Sequence, residues 1–317
     1  MVATVQGTDA SQLIDRARLA DVVCVASWNA DLVSHVPRPI ARGETLMATT
    51  FSISPGGKGS NAAVAAARQG ARTALIARVG DDDFASMGMA LWAAEGIATS
   101  HVECAVGERS GVAQILVYDD GDNSIAVFAG ATSGMDAGHA LRAAGLLRAC
   151  GVVMASCEVP LSTTQEAFRI ARATGAITLL NPAPARPLPP ELLSLVDVLT
   201  PNENELVALA GNALSTGDAA AALLAQGTRA VLVTLGALGC RLYRSGQAPV
   251  AVAGRSVRVA DTIGAGDTFT GALAAALARG EALPEAMRWA NAAAALSVGR
   301  HGAIDGIPTL AEVQASL

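Results

Sequence analysis

The sequence has few aromatic and few charged residues. Aromatic residues make up 3% of the 317 positions and charged residues 16%. So few aromatic rings argue against a surface on which nucleic-acid bases stack, and the net charge of −6 provides no basic footprint for a phosphate backbone. The hydrophobic fraction of 51% nevertheless excludes a disordered chain. We therefore expect a globular protein that does not bind nucleic acid.

Long apolar runs and paired cysteines are also missing. Uncharged stretches such as 173–185 are shorter than the roughly 20 residues that a membrane-spanning helix requires. The five cysteines are scattered without a CxxC pair, a pattern typical of reduced thiols inside the cell. Residues 1–20 contain no continuous apolar segment, so we expect an N-terminal extension and not a secretory signal. These features favour a cytoplasmic protein without membrane contact.

Short apolar runs alternate with alanine-rich helical patterns along most of the chain. Val22–Ala26 and Thr73–Val79 are typical of buried strands, and Ser60–Gln69 between them is typical of a helix. Further strands are predicted at Val152–Ala155, Ile177–Leu180, Val196–Leu199, Ala230–Leu235 and Cys240–Tyr243. This alternation predicts an α/β fold over residues 21–317, with a doubly wound, mostly parallel sheet flanked by helices.

Residues 97–129 follow a different pattern. Val112–Val117 and Ile125–Phe128 flank the polar turn Asp119–Asn123, as in a β-hairpin. We therefore predict a small β lid, formed by segments near 29–55 and 97–130 and inserted into one large α/β domain.

The segment DTIGAGDTF (261–269) precedes an alanine-rich helix. Its small residues Gly264, Ala265 and Gly266 would leave backbone N–H groups pointing into open space at the helix N-terminus, which makes an anion site. Asp267 follows them. It could simply stabilise the start of the helix, or it could take a proton from a hydroxyl that attacks a bound phosphate. The segment alone leaves both interpretations open.

Two further polar segments suit a hydroxyl-rich ligand. GGKGSN (56–61) is not a Walker A loop, which requires GxxxxGK[ST]. It could be a plain glycine turn before a helix, or a close backbone approach to a ligand in which Asn61 both donates and accepts hydrogen bonds. Asn29 and Asp31 follow the first predicted strand, where ligands bind in open α/β sheets. Alone, an ordinary turn explains these two residues better.

Ten segments, taken in order, resemble the ribokinase family of sugar kinases, the PfkB superfamily. They are SWNAD (27–31), GGKGSN (56–61), RVGDD (78–82), SGVAQILV (110–117), AGA (129–131), NPAPAR (181–186), TPNENE (200–205), TLGALG (234–239), DTIGAGDTF (261–269) and NAAAALSVGRHGA (291–303). The resemblance extends from about Val22 to Pro308. It implies a ribokinase-like fold and ATP-dependent phosphorylation of D-ribose at the 5-hydroxyl, giving ribose 5-phosphate and ADP. The alternatives are a kinase of the same fold for another sugar or a nucleoside, and a non-catalytic sugar- or nucleotide-binding regulator.

The same resemblance implies a role for individual residues. Asp267 is the expected general base, and the amides of Gly264, Ala265 and Gly266 form the expected anion hole. The expected sugar contacts are Asn29, Asp31, Gly57, Lys58, Gly59, Ser60, Asn61, Ala113, Ile115, Glu158 and Asp267. The expected nucleotide contacts are Asn202, Thr234, Leu235, Gly236, Ala237, Leu238, Gly239, Gly266 and Asn291. Without the resemblance, Glu158 reads as a solvated charge, Asn202 as a helix cap and Asn291 as an ordinary helix residue.

The resemblance also implies two cations and a dimer. Glu205 is expected to steady Mg²⁺ through water. An activating K⁺ is expected at Asp261, Ile263, Ser297, Arg300, Gly302 and Gly306. Gly306 departs from the family, in which a serine oxygen is common at that position, and Trp28, Gln114 and Thr132 depart from it near the expected sugar site. A homodimer through the lid is the implied assembly, and the preferred sugar stays open.

Overall fold

The computed structural model describes residues 18–211 and 215–317. Most of the predicted N-terminal extension therefore lies outside the described residues, and Ala20 already begins the first strand. Thirteen strands in the described ranges form two sheets. Numbered in chain order they are β1 (Ala20–Ala26), β2 (Asn29–His35), β3 (Thr50–Gly56), β4 (Thr73–Val79), β5 (Ala98–Cys104), β6 (Gly111–Val117), β7 (Asn123–Phe128), β8 (Cys150–Ser156), β9 (Ile177–Asn181), β10 (Val198–Leu199), β11 (Ala230–Thr234), β12 (Gly239–Tyr243) and β13 (Val250–Ala253).

The larger sheet confirms the predicted doubly wound architecture. Its nine strands lie in the order β13-β12-β11-β10-β9-β8-β1-β4-β5. Neighbouring strands are parallel except β11–β12 and β12–β13, which are antiparallel. Strands β1 and β8 are almost wholly buried because helices cover both faces of the sheet. The carboxyl ends of the central strands therefore open at one edge, where a ligand site is expected.

Eleven α-helices are present in the described ranges. In chain order they are α1 (Lys58–Arg68), α2 (Asp83–Ala94), α3 (Ala137–Arg142), α4 (Ala144–Arg148), α5 (Leu161–Arg172), α6 (Pro190–Leu193), α7 (Glu203–Ala210), α8 (Thr216–Ala225), α9 (Ala265–Ala278), α10 (Leu283–Ser297) and α11 (Leu310–Ser316). None of these helices has the length and apolar character needed to cross a bilayer.

The alanine and glycine content is explained by close packing between helices. Helix α9 is buried from Asp267 to Ala278 and packs against α1 and α10. A side chain at Gly271 would place its Cβ 2.2 Å from the carbonyl oxygen of Ala62 on α1. The two helices can approach so closely only because a glycine lies at the contact. This packing brings the first turns of α1 and α9 together.

The smaller sheet is the predicted lid, with some differences in its boundaries. Its strand order is β3-β2-β6-β7. The lid prediction was wrong for residues 98–104, because β5 pairs in parallel with β4 at the edge of the main sheet. This half-exposed edge strand lacks the continuous apolar run that marks a central strand. Asn29–Asp31 is not a turn but the start of the lid strand β2.

Candidate active site

The N-terminus of α1 forms one wall of the candidate site. Gly57 caps this helix with φ of 90°, a conformation that favours glycine. The backbone N–H of Lys58 donates to Glu158 Oε2 at 2.8 Å, and Ser27 Oγ donates to the same oxygen at 2.6 Å. Burial raises the pKa of Glu158, although both hydrogen bonds oppose this shift. A carboxylate at a helix N-terminus is also favoured by the helix dipole, so Glu158 is not a solvated charge.

Two polar residues of the lid face the same space. Asn29 and Asp31 lie on β2, directly opposite Gly111 and Ala113 of β6. A Cβ at Gly111 would lie 2.2 Å from Asn29 Oδ1, so the glycine makes room for this amide. Ala113 and Ile115 are buried and share a lid face with Asp31, as predicted for the inner face. Burial, together with the charges of Glu158 and Asp267, raises the pKa of Asp31 to about 7.

Asp267 lies in the first turn of α9, where this wall meets the loop expected to bind phosphate. Its side chain is buried, and Asn61 Nδ2 on α1 donates to its Oδ2 at 2.9 Å. Gly264 precedes the helix with φ of 75°, and Thr268 N donates to its carbonyl. The N–H groups in the first turn of a helix favour a negative charge, although Ala265 N donates to the carbonyl of Thr262 at 3.3 Å.

Lys58 carries positive charge into the same region. The nearby carboxylate of Asp267, followed by those of Glu158 and Glu205, raises the pKa of Lys58 above its ordinary value. The side chain therefore remains an ammonium. Burial raises the pKa of Glu205, which accepts a hydrogen bond from the backbone of Asn202.

Two adjoining cavities lie near the start of α9, and Asp267 lines the smaller one. The smaller, of about 280 Å³, is lined by Lys58, Asn181, Asn202, Glu205, Thr234, Thr262, Ile263, Gly264, Gly266 and Asp267, among others. The larger, of about 840 Å³, is lined by Asn202, Thr234, Gly236, Ala237, Gly239, Gly254, Arg255, Val257, Gly266 and Asn291, among others. Asn202, Thr234 and Gly266 border both cavities. A long anionic ligand could therefore extend from the larger cavity to the carboxylate of Asp267.

Comparison with known proteins agrees with this geometry. Residues 19–310 match the pfkB family carbohydrate kinases. The chain belongs to this family. It is 39% identical to the ribokinase of Haemophilus influenzae over 292 residues, which cover 91% of this chain and 95% of that protein. It is 38% identical to the ribokinase of Bacillus subtilis over 296 residues, with 93% and 99% covered.

Solved structures of the family show the same fold. Arabidopsis thaliana ribokinase complexed with ribose and ATP superposes with a TM-score of 0.86 and 31% identity, covering 93% of this chain and 98% of that one. Ribokinase from Thermotoga maritima gives a TM-score of 0.87 at 32% identity, with 94% and 99% covered. The pfkB family assignment thus rests on sequence and on structure.

Not every residue expected to bind the sugar faces the site. The Ser60 hydroxyl is fully buried and accepts a hydrogen bond from Trp92 Nε1 at 2.9 Å. A Cβ at Gly59 would lie 2.5 Å from the Cα of Ala26, so this glycine permits the close packing of α1 on β1. Packing therefore explains Ser60, whereas Gly59 both permits packing and lines a small cavity with Lys58 and Asp267.

The residues expected to contact the nucleotide at 234–239, here called the nucleotide turn, also divide into two sets. Thr234, Gly236, Ala237 and Gly239 line the larger cavity, whereas Leu235 and Leu238 do not. Leu235 packs against the hydrophobic core, and Leu238 is 74% exposed. Asn291 lines the cavity, where Asn291 Nδ2 donates to the carbonyl of Ala253 at 3.0 Å.

Sequence reasoning missed one wall of the larger cavity. Residues 254–257 line it, directly after the unpredicted strand β13. The strand is only four residues long and alternates between half-buried and exposed positions. A pattern so short carries little signal, so the residues after it could not be placed beside the nucleotide turn.

Asp261 connects the two loops expected to hold a monovalent cation. Its Oδ1 accepts from Ile263 N and its Oδ2 accepts from Gly302 N, both at 2.9 Å. A Cβ at Gly306 would lie 2.7 Å from the Gly302 carbonyl oxygen and 3.2 Å from that of Ser297. These two carbonyls therefore converge on position 306, where a side chain would be crowded.

Proposed function

We propose that this protein transfers the γ-phosphoryl group of ATP to the 5-hydroxyl of D-ribose and releases ribose 5-phosphate and ADP. The observation that carries this proposal is the position of Asp267. Its buried carboxylate lies at the start of α9, bonded to Asn61, between the polar wall of α1 and the cavities that reach the nucleotide turn. The ribokinases of Haemophilus influenzae and Bacillus subtilis, at 39% and 38% identity, support ribose as the substrate.

The geometry supports a direct transfer in which the protein supplies position and charge. The sugar would lie beneath the lid, where Asn29, Asp31 and Glu158 can accept hydrogen bonds from its hydroxyls. Asp267 takes the proton of the attacking hydroxyl as the new bond to phosphorus forms. Such a base contributes typically about 10²- to 10⁴-fold to the rate. The amides at the start of α9 and the Lys58 ammonium stabilise the negative charge on the transferring group.

Glu205 is the residue we propose to hold Mg²⁺ through water. It lines the smaller cavity together with Asp267 and Gly264, and only one of its carboxylate oxygens accepts a hydrogen bond from Asn202. The other oxygen can accept from metal-bound water, as Mg²⁺ usually retains several waters. When bound, the ion neutralises phosphate charge.

A monovalent cation site at Asp261 is a further part of the proposal. The converging carbonyls of Ser297 and Gly302 fit an oxygen-liganded cation such as K⁺. Ile263 and Arg300 would contribute further backbone oxygens. Gly306 offers no side-chain oxygen, so a carbonyl or water must take that place. Because Asp261 also bonds Ile263, next to Gly264, a cation here would fix the loop that forms the anion hole.

We also propose that the protein acts as a cytoplasmic homodimer that associates through the lid. Phe51 and Ile53 on β3 and Ile125 and Val127 on β7 are between 49% and 61% exposed. These two pairs lie on the two edge strands of the lid, and exposed apolar side chains there suit an interaction surface. The five cysteines are all free thiols, which suits a reducing compartment.

An assay of ADP release tests the proposed reaction. Purified protein is supplied with ATP, Mg²⁺ and each of a panel of pentoses, hexoses and nucleosides, with and without K⁺. D-Ribose is expected to be the best substrate by kcat/KM, and K⁺ is expected to raise the rate. Two relatives 35% identical to this chain are deoxyribokinases of Salmonella, so 2-deoxyribose belongs in the panel. Turnover of another substrate in preference to ribose would overturn the proposal.

A further inference from the structure

Arg78 occupies an unusual position between the main sheet and the lid. It lies near the end of β4, and its side chain is only 13% exposed. Its Nε donates to Glu103 Oε1 on β5 at 2.8 Å. Its Nη1 and Nη2 donate to the two carboxylate oxygens of Glu108, each at 2.7 Å. Its Nη1 also donates to the carbonyl of Ala131 at 2.9 Å.

The last two partners belong to the two connections of the β6–β7 hairpin of the lid. Glu108 lies between β5 and the lid strand β6, and Ala131 follows the lid strand β7. Arg78 therefore binds the segment that enters this hairpin and the segment that leaves it. The two segments also bond each other, since Ala131 N donates to the carbonyl of Arg109 at 2.8 Å.

A second contact with this hairpin is made by Asp82, four residues after Arg78. Ser110 is fully buried, and its N–H and hydroxyl donate to the two carboxylate oxygens of Asp82 at 2.8 Å and 2.7 Å. Gly80 N donates to Ser110 Oγ at 3.1 Å. A Cβ at Gly80 would lie 2.3 Å from Ser110 N, so only glycine allows this contact. The loop between β4 and α2 thus grips the first residue before β6.

The position of Ser110 affects the residues expected to bind the sugar, because β6 pairs with β2. Gly111 follows Ser110 and lies opposite Asn29, and Ala113 lies opposite Asp31. A shift of Ser110 would move Gly111 and Ala113, and with them the space available to the side chains of Asn29 and Asp31. Sugar hydroxyls require such acceptors within a few tenths of an ångström.

We propose that Arg78 and Asp82 are positioning residues for the phosphoryl transfer: Arg78 clamps both connections of the β6–β7 hairpin, Asp82 holds the entering one, and together they set the placement of Asn29 and Asp31 over the sugar. Arginine suits this role because its planar guanidinium makes four hydrogen bonds here, two of them to both oxygens of Glu108, whereas a lysine ammonium has three donors and no planar fork. The expected change in sugar KM rests on the proposed function. The expected change in the mobility of the hairpin does not.

The test uses Arg78→Met and Arg78→Lys in the full-length protein. Both are expected to raise the KM for the sugar about tenfold, the effect of losing a hydrogen bond to a charged group, while the KM for ATP changes less than about twofold. Hydrogen exchange of amides in 111–128 is expected to accelerate, with the central strands β1 and β8 unaffected. Arg172→Met is the matched control, because Arg172 is 21% exposed and bonds the carbonyl of Ser194, away from the lid.

A milder variant keeps the test decisive if Arg78→Met does not fold. Glu108→Gln removes one charged arm of the clamp at a side chain that is 48% exposed, and it is expected to raise the sugar KM in the same direction. Equal effects on sugar and ATP KM, or unchanged exchange in 111–128, would overturn the clamp. If the wild-type protein does not phosphorylate ribose, the proposed function fails, and the exchange measurement still judges the clamp.

Discussion

At the residue scale, the site is organised around carboxylates that differ in surroundings. Asp267 accepts a hydrogen bond from Asn61 and lies at a helix start. Glu158 accepts hydrogen bonds from Ser27 and Lys58. Asp31 lies on the lid. Only Asp267 adjoins the amides expected to hold phosphate. The proposed reaction therefore gives the proton transfer to Asp267 and sugar binding to the others.

Replacement of the base separates catalysis from binding. We expect Asp267→Asn to lower kcat by about 10²-fold or more, because an amide cannot take the proton. The substitution is nearly isosteric, so calorimetric binding of ATP and of sugar is expected to persist within about tenfold. Normal turnover by this variant would refute the catalytic assignment. Asp119→Asn, on the exposed lid turn, serves as the control.

The raised pKa of Asp31 predicts that kcat/KM for the sugar depends on pH. Its pKa of about 7 means that the charged form is complete only above that pH, so kcat/KM for the sugar is expected to fall as the pH drops below about 7. Because the folded-state pKa lies above the ordinary value, this group lowers the free energy of unfolding as the pH rises toward 7.

The variant Asp31→Asn tests both parts of that prediction. It is expected to bind sugar weakly and to lose the ionisation near neutrality. Its Tm is expected to exceed that of the wild type by more at about pH 8 than at about pH 5, because the penalty for the raised pKa grows between the ordinary pKa of Asp31 and its folded-state value of about 7. A Tm difference that is the same at both pH values would contradict the raised pKa.

At the element scale, helix α9 joins catalysis to packing. Its first turn presents the anion-hole amides and Asp267, while its remainder is buried against α1 and α10. Gly264 and Gly280 lie at its two ends with φ of 75° and 87°. A Cβ at Gly264 would lie 3.0 Å from the Cα of Ala303, whereas a Cβ at Gly280 would meet nothing within 4 Å.

This pair of glycines provides a matched experiment. Both substitutions to alanine are expected to lower the free energy of unfolding by roughly 1 kcal/mol, because alanine is strained at positive φ. Gly264→Ala is expected also to lower kcat by about 10²-fold, since it displaces the amides of the anion hole. Gly280→Ala is expected to retain the wild-type kcat. Chemical denaturation and steady-state kinetics measure the two effects, and equal kcat values would contradict the role of the loop.

At the scale of the whole molecule, the lid presents apolar side chains on both of its faces. Strand pairing places Ile125 and Val127 on the face of Asp31, and Phe51 and Ile53 on the opposite face. Exposed apolar side chains on both edge strands of a four-stranded sheet are unusual for an isolated monomer. Association of two lids would cover it.

Substitution on the lid tests the dimer. Phe51→Ser combined with Val127→Ser is expected to shift the protein toward the monomer in light scattering and sedimentation, because it removes two exposed apolar contacts. Val207→Ser, at a residue that is 57% exposed on α7, is expected to leave the association unchanged. A wild-type protein that is monomeric at micromolar concentration would refute the proposed assembly.

The sequence by itself determined the alternating α/β architecture and the identity of the residues around Asp267. Such information is local. A window of about ten residues is enough to recognise the apolar run of a strand, a glycine before a helix or a carboxylate in its first turn. Only the tertiary structure decided that β5 belongs to the main sheet, that Ser60 bonds Trp92, and that Arg78 holds both connections of the β6–β7 hairpin. These outcomes depend on pairings between residues 24 to 53 positions apart along the chain, where the local pattern carries no record of the partner.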